Sequence, residues 1–409
     1  MATQTGYKAS ELGMIPQDWE IRRIGDFAPL QRGFDLPNSE IQSGDYPVVY
    51  SNGIGNYHNC YTVKSPCIAT GRSGTLGKVH YVEQDCWVHN TSLWVTKFDN
   101  CEPKFIYFLF QKIGFERFAS GSGVPTLNRN DAHEFKIALP KSTAEQTAIA
   151  TVLSDTDALI SSLQTLIAKK QAIKLSAMQN LLSGKIRLPE FTQRPDGSSK
   201  TTRQTELGCV PEDWEVVELE KVAEIKSGGT PSTNRSEFWN GHILWCTPTD
   251  ITSLSGKYLS DTNRKITEMG LNNSAAELLP IGSVLMTSRA TIGECAIAKR
   301  PMTTNQGFKN FICNRTVNNE FLYYLLSSQK DKFIELCNGS TFLEISTTQV
   351  RKFKITIPKS TTEQTSIAQL LSNMDAEIEA LVCRLKKTQA LKQGMMQALL
   401  TGKIRLPLE

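Results

Sequence analysis

The segment Gly71–Lys78 (GRSGTLGK) gathers glycines, an arginine and a lysine into one turn, a grouping that could hold a phosphate on backbone N–H groups and a cation. A nucleotide-binding loop has four residues between its outer glycines and a Ser or Thr after the lysine. Here five residues separate Gly71 from Gly77, and Val79 follows Lys78, so nucleotide chemistry is not expected. The segment has another use. GRSGTLGKV at 71–79 aligns approximately with SRATIGECA at 288–296, so an arginine beside a tight turn recurs as Arg72 and Arg289. Such a turn could meet a phosphate or a guanine edge, or it could be a sheet turn with a solvated arginine.

Other reactive constellations are missing from the sequence. The five histidines, His58, His80, His89, His133 and His242, form no HExxH and pair with no cysteine at ligand spacing. The ten cysteines are scattered without a CxxC pair, which fits free, mostly buried thiols and no metal site. No nucleophile with a base and no carboxylate pair in a motif emerges, so a stand-alone enzyme is not expected.

With 409 residues the chain is long enough for two or three domains with sizeable cores. Its net charge is only +4, from 45 basic and 41 acidic residues, so any nucleic-acid face must be local. Residues 1–10 are polar, and no stretch approaches 18 consecutive apolar residues. A cytoplasmic protein with no membrane partner is expected.

These candidates are positioned by a chain that is written twice. Glu11–Trp19 (ELGMIPQDW) returns as Glu206–Trp214 (ELGCVPEDW) at an offset of 195, and Phe135–Pro189 returns as Phe353–Pro407 at an offset of 218, with 32 identities in 55 positions. The stretches between, roughly 20–134 and 215–352, do not match, and the second is 23 residues longer. They alternate short apolar runs such as Tyr46–Tyr50, Trp87–Val95, Ser283–Thr287 and Lys309–Cys313 with Gly, Asn and Pro turns, as strands of a mixed α/β domain do. Lys104–Phe110 and Glu320–Ser327 are read as short helices against the sheet.

After each KSTxEQ the period changes. Ile149, Leu153, Thr156, Ile160, Leu163, Ile167, Lys170, Ile173 and Ala177 fall three or four apart. So do Ile367, Leu370, Met374, Ile378, Leu381, Leu385, Thr388, Leu391 and Met395. Two helices over 143–183 and 361–401 are predicted, each about 60 Å long at 1.5 Å per residue. Ser142 or Thr143 and Ser360 or Thr361 can cap them, and Gly184 and Gly402 can end them. A lone apolar stripe of that length would be exposed, so each helix is expected to pack antiparallel on the other about a pseudo-twofold axis.

The order ELGxxPxDWE, variable domain, PKSTxEQ, long helix and LLxGKIRLP, repeated, resembles the specificity subunit of type I restriction-modification systems over essentially the whole chain. The resemblance implies a mixed α/β (α+β) fold with two target-recognition domains joined by a coiled-coil spacer. The expected divisions are 1–142 and 206–360 for the recognition domains, 143–183 and 361–401 for the helices, 184–205 for a linker and 402–409 for a tail. It also implies double-stranded DNA as partner, each domain reading half of a split asymmetric site. Two adenine-methylating modification subunits, and restriction and motor subunits, complete the assembly. S-adenosylmethionine, ATP and Mg belong to those partners. The chain itself carries no DPPY or NPPY for a flipped adenine and no glycine-rich cofactor signature.

Within that resemblance, the residues whose donors and acceptors suit DNA are Asn52, His58, Arg72, Lys78, His89, Asn90 and Arg129 in the first domain. In the second they are Asn234, Arg235, Arg289, Asn305, Gln306 and Lys309. Each could equally be an ordinary surface residue. A second recurring element, Gly121-Ser122 before Val124–Asn128 and Gly339-Ser340 before Phe342–Ser346, could be a DNA-contacting loop or a capping turn. Two alternatives share this architecture: a two-headed recognition subunit for a fused methyltransferase-nuclease, and a protein scaffold that binds no DNA.

Overall fold

A computed structural model describes residues 6–120, 125–337 and 343–407. It divides into two compact units: residues 1–164 with 383–409, and residues 165–382.

In the first unit a hairpin of Tyr7–Ser10 and Gly13–Pro16 leads into strand Trp19–Arg23, which pairs antiparallel with Lys136–Pro140 and so ties the start of the head to its end. Between them lie a four-stranded sheet, ordered Leu30–Arg32, Ser92–Val95, Cys67–Gly71, Val79–Val82, and a three-stranded sheet, ordered Gly53–His58, Tyr46–Tyr50, Trp87–Val88. Lys104–Phe110 does form a helix, Pro103–Ile113. Its Glu102 side chain caps the N-terminus, and Phe105, Ile106, Phe108, Leu109 and Phe110 are buried.

The second unit repeats this plan. Trp214–Glu218 pairs with Lys354–Pro358, the helix Asn319–Ser328 takes the place of Pro103–Ile113, and two sheets lie between. The larger is ordered Ala223–Ser227, Phe308–Cys313, Val284–Thr287, Cys295–Ala298, Tyr258–Leu259, and the smaller Arg264–Ile266, Trp239–Cys246, Met302–Thr304. Main-chain bonds show where the heads correspond. Arg72 N donates to Thr91 O at 2.8 Å and Ser288 N to Gly307 O at 2.7 Å, whereas His89 N donates to Val49 O and Asn305 N to Cys246 O, each at 3.0 Å. Val49 therefore matches Cys246, 197 residues on, and Arg72 matches Ser288, 216 on. Most of the second head's extra length lies between these points, where it adds the helix Pro248–Thr252 and the edge strand Tyr258–Leu259.

The long helices run from Thr143 to Leu181 and from Thr361 to Leu399, two residues short of the expected ends. Ser142 Oγ and Ser360 Oγ accept from Glu145 N and Glu363 N, so serine, of the two candidates in each repeat, supplies the cap. At the other end Gly184 and Gly402 adopt φ of 72° and 69°, and Ile186 N and Ile404 N donate back to Asn180 O and Ala398 O in Schellman fashion. Glycine is required twice over. A Cβ on Gly184 would stand 2.6 Å from Pro211 Cδ, and one on Gly402 2.5 Å from Pro16 Cγ, each proline belonging to an ELGxxPxDW copy.

The helices pack antiparallel within both units. In the first, Ile149, Ala150 and Leu153 share a core with Met396, Leu399 and Leu400, and Lys392 Nζ lies 2.6 Å from Asp157. In the second, Leu181 and Leu182 share a core with Ile367, Ala368 and Leu371, while Lys170 and Lys174 pair with Glu377 and Asp375. Asp157–Lys392 and Asp375–Lys174 are one interaction seen twice, since both members move by 218. The apolar stripe needs one correction: Ile173 and Leu391 are 45% and 61% exposed. The next residues, Lys174 and Lys392, turn inward instead, their apolar stems half-buried and their ammonium groups on the facing helix's carboxylates. Leu163 and Ile167 are buried, and Ile160, Leu370, Met374, Ile378, Leu381 and Leu385 are half-buried. Among the described residues no helix is long and apolar enough to cross a membrane.

The remaining motif letters close each unit. Gln146 Nε2 donates to Pro140 O at 2.9 Å while its Oε1 accepts from Glu102 N at 2.8 Å, and Gln364 does the same with Pro358 and Asn318. The guanidinium of Arg405 spans Glu145 and Asp18, and that of Arg187 spans Glu363 and Asp213. The GKIRLP of one repeat thus clasps the head of the other.

Candidate nucleic-acid interface

In the first head three segments meet where strand Cys67–Gly71 ends. Leu127 N donates to Arg72 O at 2.8 Å, Ser73 bridges Thr126, and Arg72 N reaches Thr91 O. The main chain therefore holds Arg72, the turn at residues 89–91 and the approach to Arg129 together. Arg72 is half-exposed, and its side chain makes no hydrogen bond or ion pair among the described residues. Arg129 is exposed at the first position of helix Arg129–Glu134. The Asn90 amide donates to Asp35, which Arg32 also meets at 2.7 Å. Asn90 first and then Arg32 hold the Asp35 carboxyl below its ordinary range. His89 sets Nδ1 3.0 Å from Thr91 Oγ1 and its ring 4.5 Å from Tyr50, and burial lowers its pKa, keeping it neutral near pH 7. Gly71–Lys78 is a strand-to-strand turn with no helix to follow, which removes the geometry of a nucleotide loop.

The other candidates are dispersed. Asn52 is exposed in the turn after Tyr50, and Lys78 is exposed beside Val79. His58 is turned inward, 5% exposed, with Nδ1 accepting from Gln42 N at 3.1 Å and its ring edge-on to Trp87.

The second head builds the same junction with different side chains. Ile345 N donates to Ser288 O at 3.1 Å and Arg289 bridges Glu344, matching Leu127 with Arg72 and Ser73 with Thr126. The expected equivalence of the two arginines is thus one residue out of register: Arg72 corresponds to Ser288, and Arg289 to Ser73. The two arginines therefore occupy successive, not equivalent, positions of similar turns. Arg289 pairs with Glu344 at 2.9 Å. Asn305 and Gln306 stand where His89 and Asn90 do; Asn305 Oδ1 accepts from Gly307 N at 2.9 Å, and Gln306 accepts from Thr230 Oγ1.

Lys309 is only 4% exposed, its Nζ 3.4 Å from Ser227 Oγ, and burial pushes its pKa down against the pull of Glu344. In the same head Ser288 Oγ, Thr291 Oγ1 and Asn310 Oδ1 are buried without a hydrogen-bond partner among the described residues. Asn234 and Arg235 are exposed, and Arg235 lies over the Phe238 ring at 5.6 Å. Asp35 and Ser227, which orient the candidates, carry no spacing signal in the sequence, and Thr126 and Glu344, inside the recurring loop element, meet Ser73 and Arg289. Of the recurring loop element, residues 121–124 and 338–342 lie outside the described residues.

Arg72→Ala should weaken DNA binding or relax preference at one half-site, and Arg289→Ala at the other. A base contact is worth roughly 1–3 kcal/mol of discrimination, and a phosphate contact lowers affinity without changing preference. Titrations of duplexes varied one half-site at a time read this out, and unaltered curves for both folded variants would return the arginines to a purely structural role.

Two unlike heads, each on a clasped strand pair, together with two long helices that pack antiparallel within each unit, define the class of protein. Residues 16–174 and 211–387 match the family described as type I restriction modification DNA specificity domain. A type I restriction enzyme MjaIX specificity subunit of Methanocaldococcus jannaschii is 40% identical over 179 residues, covering 43% of this chain and 41% of that protein, so this match spans about two fifths of the relative. The putative MjaX specificity subunit of the same organism is 27% identical over 437 residues, covering 98% and 97%. The crystal structure of a type I restriction-modification system S subunit from M. genitalium shares the fold, with a TM-score of 0.60 at 16% identity over 96% of this chain and 97% of that one. The chain belongs to the type I restriction-modification DNA specificity family. Its place there is that of the non-catalytic specificity subunit.

Proposed function

We propose that each head reads one half of a split, asymmetric duplex site. On this reading the chain seats two adenine-methylating modification subunits and, through them, restriction and motor subunits. S-adenosylmethionine, ATP and Mg then sit on the partners.

The observation that carries this reading is a contrast between surfaces. The junctions that would face DNA differ, Arg72, His89 and Asn90 standing against Ser288, Asn305 and Gln306. Exposed surface built from the repeats recurs, with Cys209 in the place of Met14. In the first unit a groove of about 340 Å³ lies between Leu12, Met14, Lys136, Leu400 and Lys403. Its counterpart in the second, of about 640 Å³, lies between Leu207, Cys209, Lys354, Leu182 and Lys185. Leu12 and Leu207 are 48% and 46% exposed, and Ile404 and Ile186 beside the grooves 60% and 57%. Core packing does not call for identical exposed leucines and isoleucines; a partner present in two copies does.

The chain alone is expected to show no methyl transfer, ATPase or nuclease activity. Purified modification subunits should methylate adenine site-specifically only once it is added, with binding that weakens as salt rises. Exchanging residues 20–134 for another head should change one half-site only. Methyl transfer by the chain alone, or a change in both half-sites, contradicts the reading.

A further inference from the structure

The heads differ at one sheet edge. In the second unit the larger sheet ends on Tyr258–Leu259, laid parallel to Cys295–Ala298, with Ile297 N donating to Lys257 O at 2.7 Å and Lys299 N to Leu259 O at 2.9 Å. This strand arrives on the extra residues of the second head, and Lys257 reaches inward from it. Its Nζ, on a side chain 9% exposed, lies 2.6 Å from Glu320 Oε2 and 2.5 Å from Ser372 Oγ of the long helix.

In the first unit the 216-residue offset makes Val79–Val82 the counterpart of Cys295–Ala298, and among the described residues no strand covers its outer edge. A cavity of about 490 Å³ lies there instead, walled by Tyr81, Glu83, Lys104 and Tyr107 and floored by Ser154 and Asp157 of the long helix. Ser154 is the counterpart of Ser372, 218 residues on. Its Oγ is buried and has no hydrogen-bond partner among the described residues, although the same hydroxyl in the second unit is bonded to Lys257. An open sheet edge beside a buried, unpaired hydroxyl costs free energy when left so. The second head meets that cost with its own chain.

We propose that this cavity receives an extended segment of the modification subunit, added as a parallel strand to Val79–Val82, with a carboxylate side chain where the second unit has Lys257. The partner follows from the reading above, on which this proposal rests: the groove assigned to it in this unit includes Leu400, which shares a core with Ile149 and Leu153 of the helix that floors the cavity. The charge follows from an exchange of signs. Glu320, which takes Lys257, corresponds to Lys104, and Lys299 at the mouth corresponds to Glu83. Lys104 now pairs with Glu83 at 3.0 Å in an exposed contact that an incoming carboxylate can displace. Ser154 Oγ is free to donate to it. Main-chain bonds to the edge supply affinity, and the buried acidic residue supplies register.

Two measurements test this. In the assembled complex of the full chain with modification subunits, the outward-facing amides of Tyr81 and Glu83 should exchange with solvent at least about tenfold more slowly than in the chain alone. Separately, a labelled peptide of the chain's own Ser255–Asp261 carrying Lys257→Glu should bind the chain about tenfold more tightly than the unaltered peptide. The double variant Glu83→Lys/Lys104→Glu, which gives this mouth the charges of the second unit, should reverse that preference. Unprotected amides in a complex that methylates site-specifically, or a peptide preference indifferent to the double variant, overturn the proposal and leave the functional reading standing. Failure of the subunits to assemble at all overturns the functional reading instead.

Discussion

Arg187→Ala is expected to destabilise the second unit by about 3–5 kcal/mol, seen as a lower urea midpoint, because it leaves a carboxylate buried without its partner. Arg187 and Glu363 have side chains 8% and 2% exposed, and the guanidinium reaches Glu363 from Nε at 2.8 Å and Nη2 at 2.6 Å while Nη1 holds Asp213 at 2.8 Å. Burial opposes the charge on Arg187, but Glu363 and Asp213 outweigh it and raise its pKa. Adding Glu363→Gln to the alanine variant should recover much of the loss, since an amide is far easier to bury than an unpaired carboxylate. Arg405→Ala should act in the same direction on the first unit but by less, its side chain being 34% exposed. The effect has a pH signature. Burial alone would raise Asp213, yet Arg187 and Lys200 bring it below its ordinary value, and Arg405 lowers Asp18. A depressed folded-state pKa contributes stability that is present above the unfolded value of about 3.9 and is lost as pH falls through the folded one. The gap between wild type and Arg187→Ala should therefore narrow below about pH 4.

That clasp marks the boundary of what could be read in the sequence. GKIRLP was visible as a repeated string, and so were ELGxxPxDW and KSTxEQ. Their partners were not, because Arg187 meets Glu363 across 176 residues and Arg405 meets Asp18 across 387. The long helices were legible because a period of three to four in apolar residues needs no tertiary information. Ile173 and Leu391 depart from the stripe for the reason that makes the pattern useful. Periodicity ranks residues by apolarity, whereas Lys174 and Lys392 have long stems that pack and ends that find a carboxylate. In the heads, short strands and turns carry the fold class but not register, so sequence alignment sets Arg72 against Arg289 whereas hydrogen bonds set it against Ser288. Lys309 and His58 look like surface donors in a string; only the sheet around them turns both inward.

Lengthening both long helices by seven residues, after Gln164 and after Val382, is expected to give a folded protein whose preferred DNA site has an unread gap about three base pairs longer with both half-sites unchanged. The chain passes between its two units only at these points, and each lies inside a continuous helix. Seven residues turn a helix by nearly two full turns and advance it by about 10 Å, so the apolar faces on either side of the insertion keep their phase. Inserting in both helices preserves the pairing that one insertion would break. Asp157 stays opposite Lys392 in the first unit, and Lys170 and Lys174 stay opposite Glu377 and Asp375 in the second. A two-residue insertion at the same points advances the helices by only about 3 Å but rotates each by about 200°, which carries the apolar face into water. That variant should lose solubility or assembly with modification subunits, a far larger effect from a smaller change in length. Methylation mapping on duplexes graded in gap length distinguishes the outcomes. A well-folded seven-residue variant that still prefers the original gap would mean that the helices hold the heads without setting the distance between the bases they read.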